Sequence, residues 1–302
     1  MSRRALIALL ALGLAVPSPA AETAAFLNIG VGARYLAQGG SGTALADDAS
    51  ALYWNPAGLA ALDKREATAS HAELSQTVRH DFLGYAQPTT LGTFAAGATY
   101  LSQSAIEGRD ALGHPTGGYQ ASDAALSLGW GHKTPLGDIG ATFKYVQSHI
   151  GSAQAETAAV DAGVRRDFGQ MGPGHVLLGA ALRNLGPGMK YDVQRNDLPL
   201  RLAFGAAYKL IGGHAFTAEW TNSPRGAGND FGFGGEYQAL PGVFLRAGYT
   251  TQSAITGGTG FDAARGLTLG VGLGRGHWRL DYAAVPMGEL GGTHRFTLSA
   301  RF

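Results

Sequence analysis

From about residue 64 to the end, the sequence alternates with a period of two. Leu198, Leu200, Leu202, Phe204, Ala206 and Tyr208 fall on one side of a run whose other side is Pro199, Arg201, Ala203, Gly205, Ala207 and Lys209. Val243, Leu245, Ala247 and Tyr249 alternate with Phe244, Arg246, Gly248 and Thr250 in the same way. Phe296, Leu298, Ala300 and Phe302 alternate with Arg295, Thr297, Ser299 and Arg301. Successive side chains of a strand point to opposite faces, so each run reads as a β-strand with one apolar face. Gly, Pro, Asn and Asp separate the runs, as turns require. The pattern predicts fourteen strands, at 65–73, 79–87, 91–103, 120–133, 137–150, 154–167, 174–184, 198–209, 213–222, 229–237, 242–251, 266–275, 276–283 and 292–302.

A soluble sandwich also alternates, but it needs large apolar residues on its inner face. Here the face opposite the apolar set is Gly, Ala, Ser, Thr and scattered charge, which suits the interior of a closed barrel whose outside meets lipid. Tyr100, Trp130, Tyr145, Tyr208, Trp220, Tyr237, Tyr249, Trp278 and Tyr282 fall toward strand ends, where membrane barrels carry aromatic girdles. Composition agrees. The 302 residues include 47 glycines, which disfavour a helical bundle, and only 15% are charged. The fold class expected is therefore all-β, a transmembrane antiparallel barrel of about fourteen strands, with outer-membrane lipid as its first partner. Its longest outer loops are expected at 103–119 and 252–265. The last strand offers Phe296, Leu298 and the terminal Phe302 as an assembly signal for the barrel assembly machinery.

The first twenty residues read differently. Arg3 and Arg4 precede an apolar run from Ala5 to Val16, and Ser18 and Ala20 stand at −3 and −1 of a small-residue cleavage site. The run is too short to span a bilayer. Residues 1–20 are expected to be a signal peptide for export to the bacterial outer membrane. Removing it takes away Arg3 and Arg4, so the net charge goes from +1 to −1. That balance provides no footprint for nucleic acid.

Residues 21–63 lack the strand period and are expected to form a partly helical luminal plug, with 64–302 as the barrel. Within the plug, Asp47 and Asp48 read as a helix cap with a salt bridge to an inward Arg such as Arg201 or Arg246, or as a metal or gating site. Asn55, Pro56, Ala57 and Gly58 read as a tight turn that either seats the plug on the wall or moves with substrate. Arg201, Arg246, Arg279, Arg295 and Arg301 recur on the small-residue faces of late strands. They form either a luminal anion site or a network with Glu219, Glu236 and Asp281.

Chemistry is otherwise sparse. With no Cys, thiolate metal sites and cysteine nucleophiles are excluded. The nine His, at 71, 80, 114, 132, 149, 175, 214, 277 and 294, have no helical metal spacing and are expected at rims and loops. No phosphate-binding loop or nucleophile elbow is complete. No catalytic residue, metal or cofactor is expected.

Three segments in order resemble a known family. They are Gly32-Ala33-Arg34-Tyr35-Leu36-Ala37-Gln38-Gly39-Gly40 with Ala46-Asp47-Asp48-Ala49-Ser50-Ala51-Leu52-Tyr53-Trp54-Asn55-Pro56-Ala57-Gly58-Leu59, then Arg183-Asn184-Leu185-Gly186-Pro187-Gly188-Met189-Lys190-Tyr191, then Leu198-Pro199-Leu200-Arg201-Leu202. Together they resemble the PorV/PorQ outer-membrane proteins, within the FadL-like group of fourteen-stranded barrels. The resemblance implies an accessory role in type IX-like secretion and surface attachment, with a translocon and secreted proteins as partners. Its FadL-like side implies instead a passive channel for hydrophobic small molecules. A purely structural envelope role is the third option.

Overall fold

The computed structural model describes residues 22–75, 78–191, 195–226, 228–252, 266–286 and 292–302. The expected signal peptide, and nearly all of the expected loop at 252–265, lie outside these residues. The strands are β1 (Glu66–Ser75), β2 (Val78–Thr89), β3 (Gly92–Arg109), β4 (Pro115–Thr134), β5 (Gly137–Ile150), β6 (Ala153–Met171), β7 (Gly174–Leu185), β8 (Met189–Lys190), β9 (Arg195–Asn196), β10 (Arg201–Leu210), β11 (Ala215–Asn222), β12 (Asn229–Leu240), β13 (Val243–Thr250), β14 (Leu267–Arg275), β15 (Trp278–Pro286) and β16 (Gly292–Arg301). Fourteen of them close into one antiparallel barrel, while β8 and β9 form a separate two-stranded ribbon between β7 and β10. The seam joins β1 to β16 in register from Glu66 opposite Arg301 to Glu73 opposite His294. Backbone bonds between Arg65 and Phe302, at 3.0 and 3.1 Å, extend that seam to the last residue.

One end of the barrel has only tight connections. Two of them share a design. In Thr89–Gly92 and Thr134–Gly137 the threonine Oγ1 donates to the glycine carbonyl, at 2.7 and 2.6 Å, and accepts the N–H of Leu91 or Leu136. Gly92 and Gly137 have φ of +115° and +138°, where a side chain would be strained. The other end carries the ribbon and the longer connections. Short turns mark the periplasmic end of such barrels. Both ends of the barrel sheet, β1 and β16, also meet there.

Polarity is inverted relative to a soluble protein. Leu83, Leu128, Phe143, Phe204, Leu269 and Leu298 are exposed on the outside, whereas Glu66 and Asp161 are wholly buried inside. Phe296 and Phe302 also face outward. An apolar exterior around a charged lumen is stable only with lipid on the outside. The aromatic residues near the ends satisfy turn carbonyls. Trp130 Nε1 donates to the Leu91 carbonyl (3.0 Å) and Tyr208 Oη to the Met171 carbonyl (2.8 Å).

Three expectations are corrected. The segment 103–119 is not a loop: β3 runs to Arg109 and β4 restarts at Pro115, so it projects as a hairpin with a turn at 110–114. Asp110 Oδ1 accepts the N–H groups of Leu112 and His114, which holds that turn without a long loop. The strand expected from 198 starts at Arg201, and Leu198 is fully buried rather than lipid-facing. Asn184, at φ +63°, turns the chain inward, and its Nδ2 donates to the Pro199 carbonyl. Leu198 then packs with Phe26, Leu27 and Met189. His80 is neither rim nor loop but is buried in the lumen on β2, because the inward face of that strand carries it beside Phe82 and Ala86.

Folded barrels of this kind keep their shape in mild detergent. The protein is expected to run faster on gels unheated than boiled, and deleting Phe302 is expected to reduce the fast form by removing the last seam bond. Equal mobility before and after boiling would contradict the closed barrel.

Candidate functional site: the plugged lumen

Residues 22–62 thread the lumen. Glu22 and Thr23 lie at the long-loop end, where the Thr23 N–H donates to the Asp197 carbonyl (2.9 Å). Asp47 and Asp48 lie at the short-turn end, and the chain leaves through Leu62 into β1. Only short helical turns form, at Ala25–Asn28, Ala33–Leu36, Ala51–Trp54 and Pro56–Ala61.

The plug rests directly on backbone. A Cβ on Gly163 of β6 would strike Asn55 Oδ1, and one on Gly140 of β5 would strike the Pro56–Ala57 peptide. Gly179 and Gly205, on β7 and β10, receive Thr43 and Ala44, while Gly234 and Gly248, on β12 and β13, receive Gln38 and Gly39. Side-chain-free wall positions thus trace the course of the plug around the barrel. Asn55 is extended, and its side chain uses both of its ends. Oδ1 accepts the Ala57 N–H (3.1 Å), while Nδ2 donates to the carbonyls of Thr43 (2.8 Å) and Val164 (3.1 Å). Asn55, Pro56, Ala57 and Gly58 are all buried and form the first turn of the 3-10 helix, with Pro56 fixing φ at its start.

Asp47 does not pair with Arg201 or Arg246. Its partners are Arg34 of the plug (2.6 Å) and Lys209 of β10 (2.8 Å). Arg246 is out of reach because Glu236 (2.7 Å) and Asp281 (2.8 Å) already hold it. Asp48 accepts from Tyr35 Oη (2.8 Å) and, through Oδ1, from the Ser50 N–H (3.0 Å). It therefore makes a local turn before the helical turn at Ala51 rather than capping it. Glu66 of β1 accepts the Ala49 N–H (2.9 Å) and pairs with Arg301, whose guanidinium also donates to the Asp47 carbonyl (2.9 Å). The stretch from Asp47 to Ala49 is thereby clamped from two sides of the wall.

The late-strand arginines divide. Arg246 and Arg279 share Glu236 and Asp281, and Arg34 joins them on Glu236 (3.3 Å). Arg295 donates to the Gly30 carbonyl (3.0 Å), so it holds the plug. Arg201 donates to Asn28 Oδ1 (3.0 Å) and lies 3.6 Å from Asp230. Glu219 faces Arg183 at 3.7 Å. Arg201, Arg183, Glu219, Asp230, Tyr53 and Trp54 border a cavity of about 60 Å³ toward the long-loop end.

Sequence reasoning missed Arg34, Lys209, Arg183, Glu66 and the buried pair Lys144–Asp161 (2.6 Å). Glu66 and Lys144 sit on small-residue faces of alternating strands, which was the available signal. For Arg34 no periodic signal exists, because the plug has none. Phe26, Leu27, Leu52, Tyr53 and Phe82 enclose a gap of about 10 Å³ against β2 to β5, mostly apolar but edged by Thr99, Ser127 and Lys144. Among the described residues no three His, Asp or Glu gather as metal ligands.

The sequence model of an uncharacterised protein family, UPF0164, matches residues 18–134. No curated protein matches the sequence. Solved structures do match in fold. The toluene transporter TbuX of Ralstonia pickettii aligns with TM-score 0.62 at 15% identity, covering 90% of this chain and 98% of TbuX. The toluene transporter TodX of Pseudomonas putida aligns with TM-score 0.59 at 13%, covering 90% and 96%. A Pseudomonas aeruginosa FadL homologue aligns with TM-score 0.55 at 13%, covering 90% and 98%. The fold is that of FadL-type outer-membrane channels. The narrower PorV/PorQ resemblance is not established by these likenesses.

Two outcomes follow from the clamp. Glu236→Gln leaves buried guanidinium charge short of its counter-charge, and breaking such a pair costs about 3–5 kcal/mol. The expected result is a lower urea midpoint for tryptophan fluorescence in lipid vesicles; an unchanged midpoint would mean the network is dispensable. Burial opposes the charged form of Asp47, but Arg34 and Lys209 outweigh it and hold its carboxyl well below the ordinary range. A lowered folded value stabilises fully above the unfolded value of about 3.9, and the contribution is lost as pH falls through the folded value. Hydrogen exchange at residues 44–50 is therefore expected to stay slow from neutral pH down to about pH 4 and to speed up only in stronger acid. Asp47→Asn is expected to exchange fast already at neutral pH.

Proposed function

We propose that the protein is a passive outer-membrane channel for small hydrophobic molecules. The observation that carries this is the apolar, lightly anchored tip of the plug. Ion pairs and glycine seats fix plug residues 34–60 on strands from β3 round to β16, whereas Phe26 and Leu27 of the plug face Phe82 and Ala125 across a small, mostly apolar gap. An apolar solute loses no hydrogen bonds on entering such a gap, so it needs only space. The tip of the plug can make that space. Residues 22–29 are held by few hydrogen bonds, and segments with few anchors open at the lowest free energy. Entry is from the long-loop end, past Phe26. The fold likeness to TbuX and TodX, which are toluene transporters, supports a small apolar substrate class.

In this reading, the leader at 1–20 exports the chain, and Phe296, Leu298 and Phe302 present the last strand to the assembly machinery. Asp47, Asp48 and Asn55–Gly58 then act as plug anchors. Arg246, Arg279 and Arg295 act as a structural network, and Arg201 stands at the outer vestibule. An accessory role in type IX-like secretion finds no specific support in the lumen.

The test is a deletion strain scored for uptake of labelled toluene and for attachment of surface proteins. Slower uptake, restored by the wild-type gene and not by an Ala125→Phe variant that narrows the gap, is expected, with attachment unchanged. An attachment defect with normal uptake would overturn the channel.

A further inference from the structure

We infer that the barrel holds one phospholipid of the periplasmic leaflet in a groove on its outer face. On the outside of β6, β7 and β10, Ala180 lies opposite Val164 on one side and Phe204 on the other. Its methyl is the short side chain between two large ones, so the wall is hollowed there. Leu136 of the β4–β5 turn and Phe168 of the β6–β7 hairpin close the lower margin, and the hollow measures about 410 Å³. Its lining is overwhelmingly apolar, which suits an acyl chain.

Arg166 stands at the edge. It is exposed on the lipid face, beside Gly137 of the short turn, and stacks on the Phe168 ring at 5.2 Å. It has no carboxylate partner among the described residues, whereas its neighbour Arg165, on the luminal face, is bound to Asp138 (2.7 Å). A lipid-facing arginine costs about 2–4 kcal/mol near the midplane and close to nothing at the interface. The short-turn position puts Arg166 at the periplasmic interface, where phosphates lie. An unpaired cation at headgroup level, with an apolar hollow running from it toward the membrane centre, matches a phosphodiester bearing an acyl chain. The hollow opens at the periplasmic edge, so the occupant is a phospholipid rather than an outer-leaflet glycolipid.

The test is native mass spectrometry of the full barrel in detergent, titrated with dioleoylphosphatidylglycerol. One lipid is expected to bind more tightly than the rest. R166Q removes a charge-assisted contact and is expected to weaken that binding about tenfold. A180F fills the hollow and is expected to abolish it. Both variants are first checked for heat-dependent gel mobility, and R166Q, on an exposed edge, decides the matter if A180F does not assemble. Equal binding by R166Q and wild type, or equally tight binding of dioleoylglycerol, which lacks the phosphate, would overturn the site. Displacement by lipopolysaccharide at equal concentration would also overturn it, since that lipid occupies the other leaflet.

Discussion

The plug meets the wall backbone to backbone, and most of the interior follows from that contact. A barrel lumen is ordinarily filled by side chains projecting from its strands. Here the wall gives up those side chains at Gly140, Gly163, Gly179, Gly205, Gly234 and Gly248, and the plug occupies the space they leave. The abundance of glycine is therefore only partly a matter of turns. Close approach also places plug carbonyls and amides where wall strands cannot pair with them. Side chains meet that need: Asn55 reaches the Thr43 and Val164 carbonyls, and Glu66 takes the Ala49 N–H. A single added methyl at Gly163 would displace Asn55 and with it the turn that follows.

The same closeness accounts for the ion pairs. Guanidinium and carboxylate groups so deeply buried are tolerable only when each has opposed charge in contact. Arg34, Arg246 and Arg279 converge on Glu236, with Asp281 completing the balance. Arg34 is the member that belongs to the plug, so the network is also an anchor. Asp47 repeats the arrangement at the short-turn end, joining Arg34 to Lys209. The two clusters share Arg34 and so couple the course of the plug to β10, β12, β13 and β15.

Much of the wall was legible because a strand in a membrane barrel has one demand on each face, and a period of two records both. All fourteen barrel strands lie where alternation put them, with their ends shifted. The ends moved where a local interaction outweighed the period. Asn184 turned the chain so that Leu198 entered the core, and Asp110 closed a hairpin that looked like a loop. The lumen was less legible. Alternation shows that Arg246 and Glu236 face inward but not which strands lie across the barrel from one another. The partners of Asp47 depend on where an aperiodic plug runs, and no sequence period encodes that. Asn55 and Pro56 were recognisable as a turn from chemistry alone, yet their seat on β5 and β6 required the wall.

The unequal anchoring of the plug follows from these same forces. Between residues 34 and 57 the chain is gripped by ion pairs and by glycine seats, and moving it would strand buried charge. Between residues 22 and 29 the grip is a few hydrogen bonds and the packing of Phe26 and Leu27 against Leu198 and Met189. Apolar packing can be exchanged for an apolar solute at little cost, whereas an ion pair cannot. The barrel thus combines an ion-paired base at its short-turn end with an apolar-packed tip toward its long-loop end. The charges set the base in place, while at the tip Phe26 and Leu27 meet the wall chiefly through apolar contacts, where replacement of one apolar group by another meets little resistance.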